Sequence, residues 1–127
     1  MPFYYQYNSP AGGGLFQGAV KKIVLINVGV FILQLLLIRT SFEYYFMLIP
    51  RLVISRGYIW QLVTYMFLHG GVLHLAFNML IIWMFGTQLE RIWGSARFLR
   101  YYIVCGLGGA VFSFIFAFNS AVLGASG

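Results

Sequence analysis

The sequence has very little charge for its length. Charged side chains make up 8% of the 127 residues, with eight basic and two acidic residues, while hydrophobic residues make up 61%. Soluble domains carry about a quarter charged residues, so this number is too small to cover the surface of a water-soluble fold of this size. The shortage of charge argues against a soluble domain and predicts a protein that has lipid as its solvent.

Cysteine and clustered metal ligands are also scarce. Cys105 is the single cysteine, so no disulfide can form within the chain, and its apolar surroundings favour a packed thiol. The two histidines, His69 and His74, have no Asp, Glu or Cys near them in the sequence, which argues against a metal site. No cofactor is expected.

Basic residues are present, but they are not clustered. A nucleic-acid site needs a basic face, so nucleic acid is not expected as a partner. Basic residues at the ends of apolar runs lie at the level of the lipid headgroups. The basic residues next to the N-terminal tail and in the link between the second and third runs favour a cytoplasmic N-terminus. The eight are Lys21, Lys22, Arg39, Arg51, Arg56, Arg91, Arg97 and Arg100.

Three long apolar runs predict an all-α membrane protein. We expect helix 1 at about 21–39, helix 2 at about 71–90 and helix 3 at about 96–118, after a flexible tail over residues 1–20. Residues 120–127 would begin a fourth helix, but the chain from residue 119 reaches only about 13 Å of the roughly 30 Å hydrocarbon core. The chain is therefore interpreted as a fragment.

The segment over residues 40–70 differs from the runs on either side. It mixes charges, Pro50 and Gly57 with many aromatic residues, so it is too polar to span a membrane and too apolar for water. Tyr and Trp side chains are typical of the headgroup level. We expect an interfacial loop that carries short helices.

Small and polar residues indicate which helix faces lie inside a bundle. Asn27 and Gln34 are two turns apart in the first run, so they share a face that we expect to point inward. In the third run, small residues at i, i+4, i+7 and i+11 form a stripe that permits close approach of a neighbouring helix. The stripe consists of Gly106, Ala110, Ser113 and Ala117.

Three more polar residues stand at the start of the second run. His74 and Asn78 are one helical turn apart and point the same way, and His69 precedes them. Burying such groups costs free energy unless they find partners or line a wet cavity. On these residues alone, hydrogen bonding between helices, a functional site and a metal site remain alternatives.

The sequence G-A-S-G occupies residues 124–127. Small neighbours leave the Ser126 hydroxyl approachable and let backbone N–H groups face a reacting carbonyl, although such residues in membrane helices more often serve packing. A serine nucleophile needs donors for the oxyanion that it creates, and His and Asn side chains can supply them. The two features together therefore indicate acyl transfer.

Taken jointly, these motifs resemble the rhomboid family of intramembrane serine proteases over about residues 20–127. Their order and spacing are far more specific together than any one motif is alone. The motifs are Trp60, His69, His74-x-x-x-Asn78, Gly86-x-x-x-Glu90-x-x-x-Gly94 and Gly124-x-Ser126-Gly127.

The resemblance implies roles for individual residues. Ser126 falls at the family's nucleophile, and His74 and Asn78 fall at the side chains that form the oxyanion hole with the serine N–H. The positions with supporting or structural roles are Gly124, which opens the site, His69, which supports it, Glu90 and Gly94, which hold the second and third helices together, and Trp60 in the loop.

The resemblance also implies a six-helix core that cleaves transmembrane segments of other membrane proteins through a Ser–His dyad. The dyad histidine lies on the sixth helix, beyond these 127 residues, so the polypeptide as given is expected to be inactive. We expect a prokaryotic plasma membrane as its location, and the sequence indicates no oligomeric state. One departure is Gln61, where the family commonly has Arg after Trp60, which removes a five-donor fork from the loop.

Two other functions remain as alternatives. A non-catalytic rhomboid-like protein would bind transmembrane clients without cutting them, but relatives of that kind typically lack the serine or the oxyanion residues. A small transporter or channel subunit would also carry His and Asn inside the membrane, but it would not depend on chemistry at Ser126.

Overall fold

The computed structural model describes residues 18–123, and helices account for most of them. Within this part of the chain, β-structure is limited to one isolated antiparallel bridge between Leu48 and Val122. The elements are α1 (Ala19–Leu36), α2 (Phe42–Phe46), α3 (Pro50–Arg56), α4 (Gln61–Thr64), a 3₁₀ turn (Tyr65–Phe67), α5 (Val72–Ile81), a π-helical turn (Ile82–Gly86), α6 (Thr87–Trp93) and α7 (Ser95–Phe116).

Three helices are long and apolar enough to cross a membrane. The first span is α1, the second is Val72–Trp93, in which the π turn joins α5 to α6, and the third is α7. A helix of 22 residues is about 33 Å long, which matches a hydrocarbon core of about 30 Å. The prediction of an all-α membrane protein with three spans is confirmed.

The observed ends of the spans lie a few residues from the expected ones. The first span begins at Ala19 and ends at Leu36, against an expected 21–39. The second and third spans are Val72–Trp93 and Ser95–Phe116, against 71–90 and 96–118. Residues 117–123 are not helical, and residues 124–127 of the expected fourth helix lie outside the described part of the chain.

Large apolar side chains cover the outer faces of the spans. Leu36, Leu73 and Phe116 are each more than 70% exposed, and similar residues surround them. Contiguous apolar surface of this extent is unusual on a soluble monomer. The outer faces of the three spans are therefore suited to contact lipid.

The inward faces agree with the sequence pattern. Asn27 is 0% exposed and Gln34 is 2% exposed, which confirms that their shared face of α1 is buried. In α7, a Cβ atom on Gly106 would overlap the sulfur of Met66. The segment that approaches the small-residue stripe here is therefore the Tyr65–Phe67 turn, whose Met66 side chain occupies the space that a Cβ atom on Gly106 would take.

Glu90 joins the three spans at one end of the structure. Its carboxylate accepts hydrogen bonds from the N–H groups of Ala19 and Val20, the first residues of α1, and from the hydroxyl of Ser95, the first residue of α7. The first N–H groups of a helix have no partner within the helix, and a carboxylate also suits the positive end of the helix dipole.

Gln61 anchors the loop that precedes the second span. The side chain is 0% exposed. Its amide nitrogen donates to the carbonyl oxygens of Tyr44 and Tyr45 at 3.3 and 3.2 Å, and its amide oxygen accepts from the N–H of Ile49 at 3.1 Å. Although Gln61 lacks the donor fork of an arginine, it uses both ends of its amide on the loop backbone and so holds α2 and α3 against α4.

Candidate active site

The polar residues at the start of the second span converge in the structure. His69 lies just before the span, and its Nε2 atom is 2.8 Å from the Nδ2 atom of Asn78, which is one helical turn beyond His74. The rings of His69 and His74 are 5.2 Å apart between centroids and meet edge to face at 69°. The structure therefore brings His69, His74 and Asn78 into one cluster.

The contact between His69 and Asn78 determines the state of the imidazole. An amide nitrogen can only donate, so His69 Nε2 accepts and the proton of the neutral ring is on Nδ1. Burial lowers the pKa of His69, and the neighbouring His74 lowers it further, while the Phe67 backbone carbonyl opposes these effects. His69 is 1% exposed, and the neutral ring is the form that such a site favours.

His74 presents its ring differently. The residue is half-buried, and its Nδ1 atom accepts a long hydrogen bond of 3.4 Å from the N–H of Gly70. When Nδ1 is the acceptor, the proton of the neutral ring is on Nε2. His74 therefore has an N–H donor at the end of its ring, which is the group that an oxyanion requires.

Gln34 belongs to this cluster, although the sequence analysis did not assign it there. The N–H of His69 donates to Gln34 Oε1 at 3.0 Å, and Gln34 Nε2 donates to the His69 carbonyl at 3.0 Å. Its inward position could be read from its spacing with Asn27. Its partner could not be read, because that partner is backbone 35 residues away.

Ser126 and Gly124 lie outside the described residues, so their placement stays a prediction. The described chain does approach the cluster as far as Leu123. A Cβ atom built on Gly70 would lie 3.8 Å from His74 Nδ1 and 3.9 Å from Leu123 Cδ1. Three further residues extend at most about 11 Å. The segment that carries Ser126 therefore starts within reach of His74.

Backbone pairing holds this last described segment in place. The N–H of Leu48 donates to the Val122 carbonyl at 3.0 Å, and the N–H of Val122 donates to the Leu48 carbonyl at 2.9 Å. Leu48 is 0% exposed and belongs to the hydrophobic core. The loop before the second span thus fixes the chain that leads to residues 124–127.

The remaining predicted residues lie away from the cluster. Glu90 is sixteen positions after His74 in the second span, about 24 Å along the helix axis. Gly94 follows the same span with φ 84° and ψ 160°. Trp60 is 42% exposed on the loop, where its indole N–H donates to the Tyr45 carbonyl at 2.8 Å. These three residues therefore serve the fold.

Metal chemistry has no evident ligand set in the described part of the chain. Among residues 18–123, no group of three His, Cys, Asp or Glu side chains is arranged to hold a metal ion. The cluster instead offers hydrogen-bond donors in an apolar setting, and this arrangement can stabilise a negative charge that develops on a substrate oxygen.

Comparisons with known proteins agree with this picture. A family model described as "Rhomboid domain" matches residues 56–127, which is more than half of the chain. The chain is 47% identical over 76 residues to "Rhomboid protease GluP" of Bacillus subtilis (strain 168), with 59% of the chain and 15% of that protein covered. It is also similar to several proteins of Arabidopsis thaliana.

The first Arabidopsis relative, "RHOMBOID-like protein 6, mitochondrial", is 41% identical over 68 residues, covering 54% of the chain and 22% of that protein. The second, "RHOMBOID-like protein 2", is 39% identical over 77 residues, covering 61% of the chain and 24% of that protein. The chain thus spans less than a quarter of the length of these three relatives. No solved structure matches it.

Proposed function

The chain belongs to the rhomboid family, and from this premise we propose that the full-length protein is an intramembrane serine endopeptidase. Its substrates would be transmembrane segments of other membrane proteins. The observation that carries the proposal is the convergence of His69, His74 and Asn78 in an otherwise apolar span, next to the chain that leads to Ser126.

In the proposed reaction, Ser126 is the nucleophile. Its Oγ atom bonds to the scissile carbonyl carbon while its proton passes to a general base, and the carbonyl oxygen becomes an oxyanion. His74 Nε2–H, a side-chain N–H of Asn78 and the backbone N–H of Ser126 would stabilise that charge. Gly124 would leave room for the scissile carbonyl. Each such donor is typically worth about 10²–10³ in rate.

The acyl-enzyme forms when the C–N bond breaks and the base returns its proton to the leaving amine. Water then attacks the ester carbonyl with the help of the same base and regenerates the Ser126 hydroxyl.

The general base is proposed to be a histidine of a later membrane span, as the family resemblance implies. His69 is buried and accepts a hydrogen bond from Asn78, and His74 serves the oxyanion hole, so neither is assigned as the base. Without a base the serine stays protonated and reacts poorly. We therefore expect no cleavage by the 127-residue polypeptide alone.

The structure describes part of a multi-pass membrane protein, and we propose that its N-terminus is cytoplasmic. Glu90 brings the start of the first span to the end of the second, so both lie on one side of the membrane. Lys21 and Lys22 lie at this end, as does Arg91. Basic residues near span ends favour the cytoplasmic side. A prokaryotic plasma membrane remains the proposed location.

Cleavage of a transmembrane substrate by the full-length protein in liposomes tests this function. We expect cleavage by the wild type and its complete loss in Ser126→Ala. Ser113→Ala is the matched control, because Ser113 is a buried serine of α7 that donates to the Gly109 carbonyl of its own helix. Cleavage that persists in Ser126→Ala would refute the proposal. A folded wild type that binds but never cuts transmembrane clients would indicate a non-catalytic rhomboid-like protein.

A further inference from the structure

The turn that precedes the second span is held by one side chain of the first span. Gln34 Oε1 accepts the N–H of His69 at 3.0 Å, and Gln34 Nε2 donates to the carbonyl of the same residue at 3.0 Å. The second N–H of Gln34 donates to Glu43 Oε1 at 2.9 Å. Both Gln34 and His69 are buried, at 2% and 1% exposure.

These contacts leave the Gln34 amide only one orientation. Its nitrogen faces two acceptors, the His69 carbonyl and the Glu43 carboxylate, while its oxygen faces one donor. A flipped amide would set oxygen against oxygen and N–H against N–H. The backbone of His69 is therefore fixed on both its donor and its acceptor side.

A fixed His69 backbone in turn fixes the imidazole that contacts Asn78. The side chain of Asn78 has two N–H groups on one nitrogen, and His69 Nε2 accepts one of them. The amide is planar, so a bond to one N–H also sets the direction of the other. The chain of contacts runs from α1 through the turn into the second span.

We propose that Gln34 is a positioning residue that aims the Asn78 amide at the reacting carbonyl through His69. The inference rests on the proposed protease function. Gln34 does not touch the substrate; it holds His69, and His69 holds the amide so that the second N–H meets the oxyanion. The contribution of Gln34 is then realised only through Asn78 and not through His74.

The test compares Gln34→Met with Asn27→Leu in the full-length protein. Met keeps the length and volume of Gln without its hydrogen bonds. Asn27 is the matched control, because it shares the buried face of α1, and its side-chain amide donates to Ile23 of the same helix. Cleavage rates are divided by the fraction of protein that stays folded, measured by far-UV circular dichroism and size-exclusion chromatography in detergent, which removes the effect of misfolded material.

Gln34→Met is expected to lower kcat about 10-fold or more and to leave KM within about twofold of the wild type. The loss should be smaller than the roughly 10²–10³-fold loss that follows removal of a whole oxyanion donor. Asn27→Leu should stay within about twofold of the wild type in both. The loss should vanish when Gln34→Met is added to Asn78→Ala, whereas it should remain when the change is added to His74→Ala. If Gln34 only supported the fold, Gln34→Met would lower activity by the same factor in Asn78→Ala and in His74→Ala.

An unchanged kcat in Gln34→Met, or an equal loss in Asn27→Leu, would overturn the inference while leaving the proposed function intact. The inference would also be overturned if adding Gln34→Met to Asn78→Ala lowered kcat by the full factor seen in the wild-type background. Absence of Ser126-dependent cleavage in the wild type would instead refute the proposed function, and the role of Gln34 would fall with it.

If Gln34→Met does not fold, Glu43→Ala replaces it. That change removes one acceptor from the Gln34 nitrogen and loosens its orientation. We expect kcat to fall about threefold, less than in Gln34→Met, because Glu43→Ala removes only one hydrogen bond of the Gln34 amide. A loss of this size that disappears in the Asn78→Ala background supports the inference. No loss, or a loss that persists there, contradicts it.

Discussion

At the scale of single residues, the cluster depends on a hydrogen bond whose direction is set by protonation. His69 Nε2 can accept from Asn78 only while the ring is neutral. Burial and the neighbouring His74 lower the pKa of His69, so the folded state favours that neutral form. The unfolded chain has an ordinary histidine and binds a proton at higher pH than the folded chain does.

This difference predicts how stability changes with pH. The pKa of His69 is lowered in the folded state, so the neutral ring contributes its full stabilisation of the fold above the ordinary histidine pKa of about 6.5. This contribution is lost as the pH falls below that value. We expect the Tm of the full-length protein in detergent to decline over that range. His69→Gln keeps an acceptor for Asn78 but does not titrate, so its decline should be smaller. Equal pH slopes for the two proteins would contradict this account of His69.

Two glutamines show what the sequence could not reveal at this scale. The spacing of Gln34 and Asn27 predicted an inward face, but it did not identify the backbone of His69 as the partner. Gln61 looked like the loss of an arginine, yet it is buried and bonds to three backbone groups of the loop. Periodicity reports which face is buried and carries no information about partners that are distant in sequence.

At the scale of elements, glycines set where helices begin, end and touch. Gly94 separates the second span from α7 with φ 84° and ψ 160°, a region that only glycine occupies readily. Gly86 ends the π turn, and a Cβ atom there would lie 3.0 Å from Phe98 and 3.2 Å from Val20. The G-x-x-x-E-x-x-x-G pattern thus contains one glycine needed for space and one needed for conformation.

Gly94→Ala should therefore destabilise the protein although no described residue crowds the position. Apart from its chain neighbours, no residue within 18–123 has an atom within 4 Å of a Cβ placed on Gly94, so the cost is conformational and about 1–3 kcal/mol. Gly108→Ala, in the open middle of α7, is the matched control and should be neutral or stabilising by up to about 1 kcal/mol. The two variants are compared by measuring the free energy of unfolding of each in detergent micelles. Equal tolerance of both changes would show that Gly94 is not strained.

At the scale of the whole molecule, composition and apolar runs were enough to predict three membrane spans, because bilayer thickness fixes their length. The bonds between spans were not predictable in detail. Glu90 caps α1 across 71 residues of sequence, which accounts for a helix that begins at Ala19 without a capping side chain of its own. The family resemblance had assigned Glu90 to the contact between the second and third helices, and its bonds to the first span came only from the structure.

The two ends of the molecule also differ in character. Glu90 closes one end by bonding to the starts of α1 and α7. At the other end, Gln34 and His69 bring α1 to the second span beside His74 and Asn78. The helix between them separates a structural end from a candidate catalytic end by about 24 Å.

The central claim is that Ser126 reacts beside His74 and Asn78. Labelling the full-length protein in liposomes with a fluorophosphonate, and locating the label by peptide mass spectrometry, tests it most directly. We predict one label on Ser126, absent in Ser126→Ala and slowed by about 10²-fold or more in Asn78→Ala, because the phosphonyl oxygen needs the same donors. A folded protein that takes no label, or takes it elsewhere and equally in Ser126→Ala, would contradict the claim.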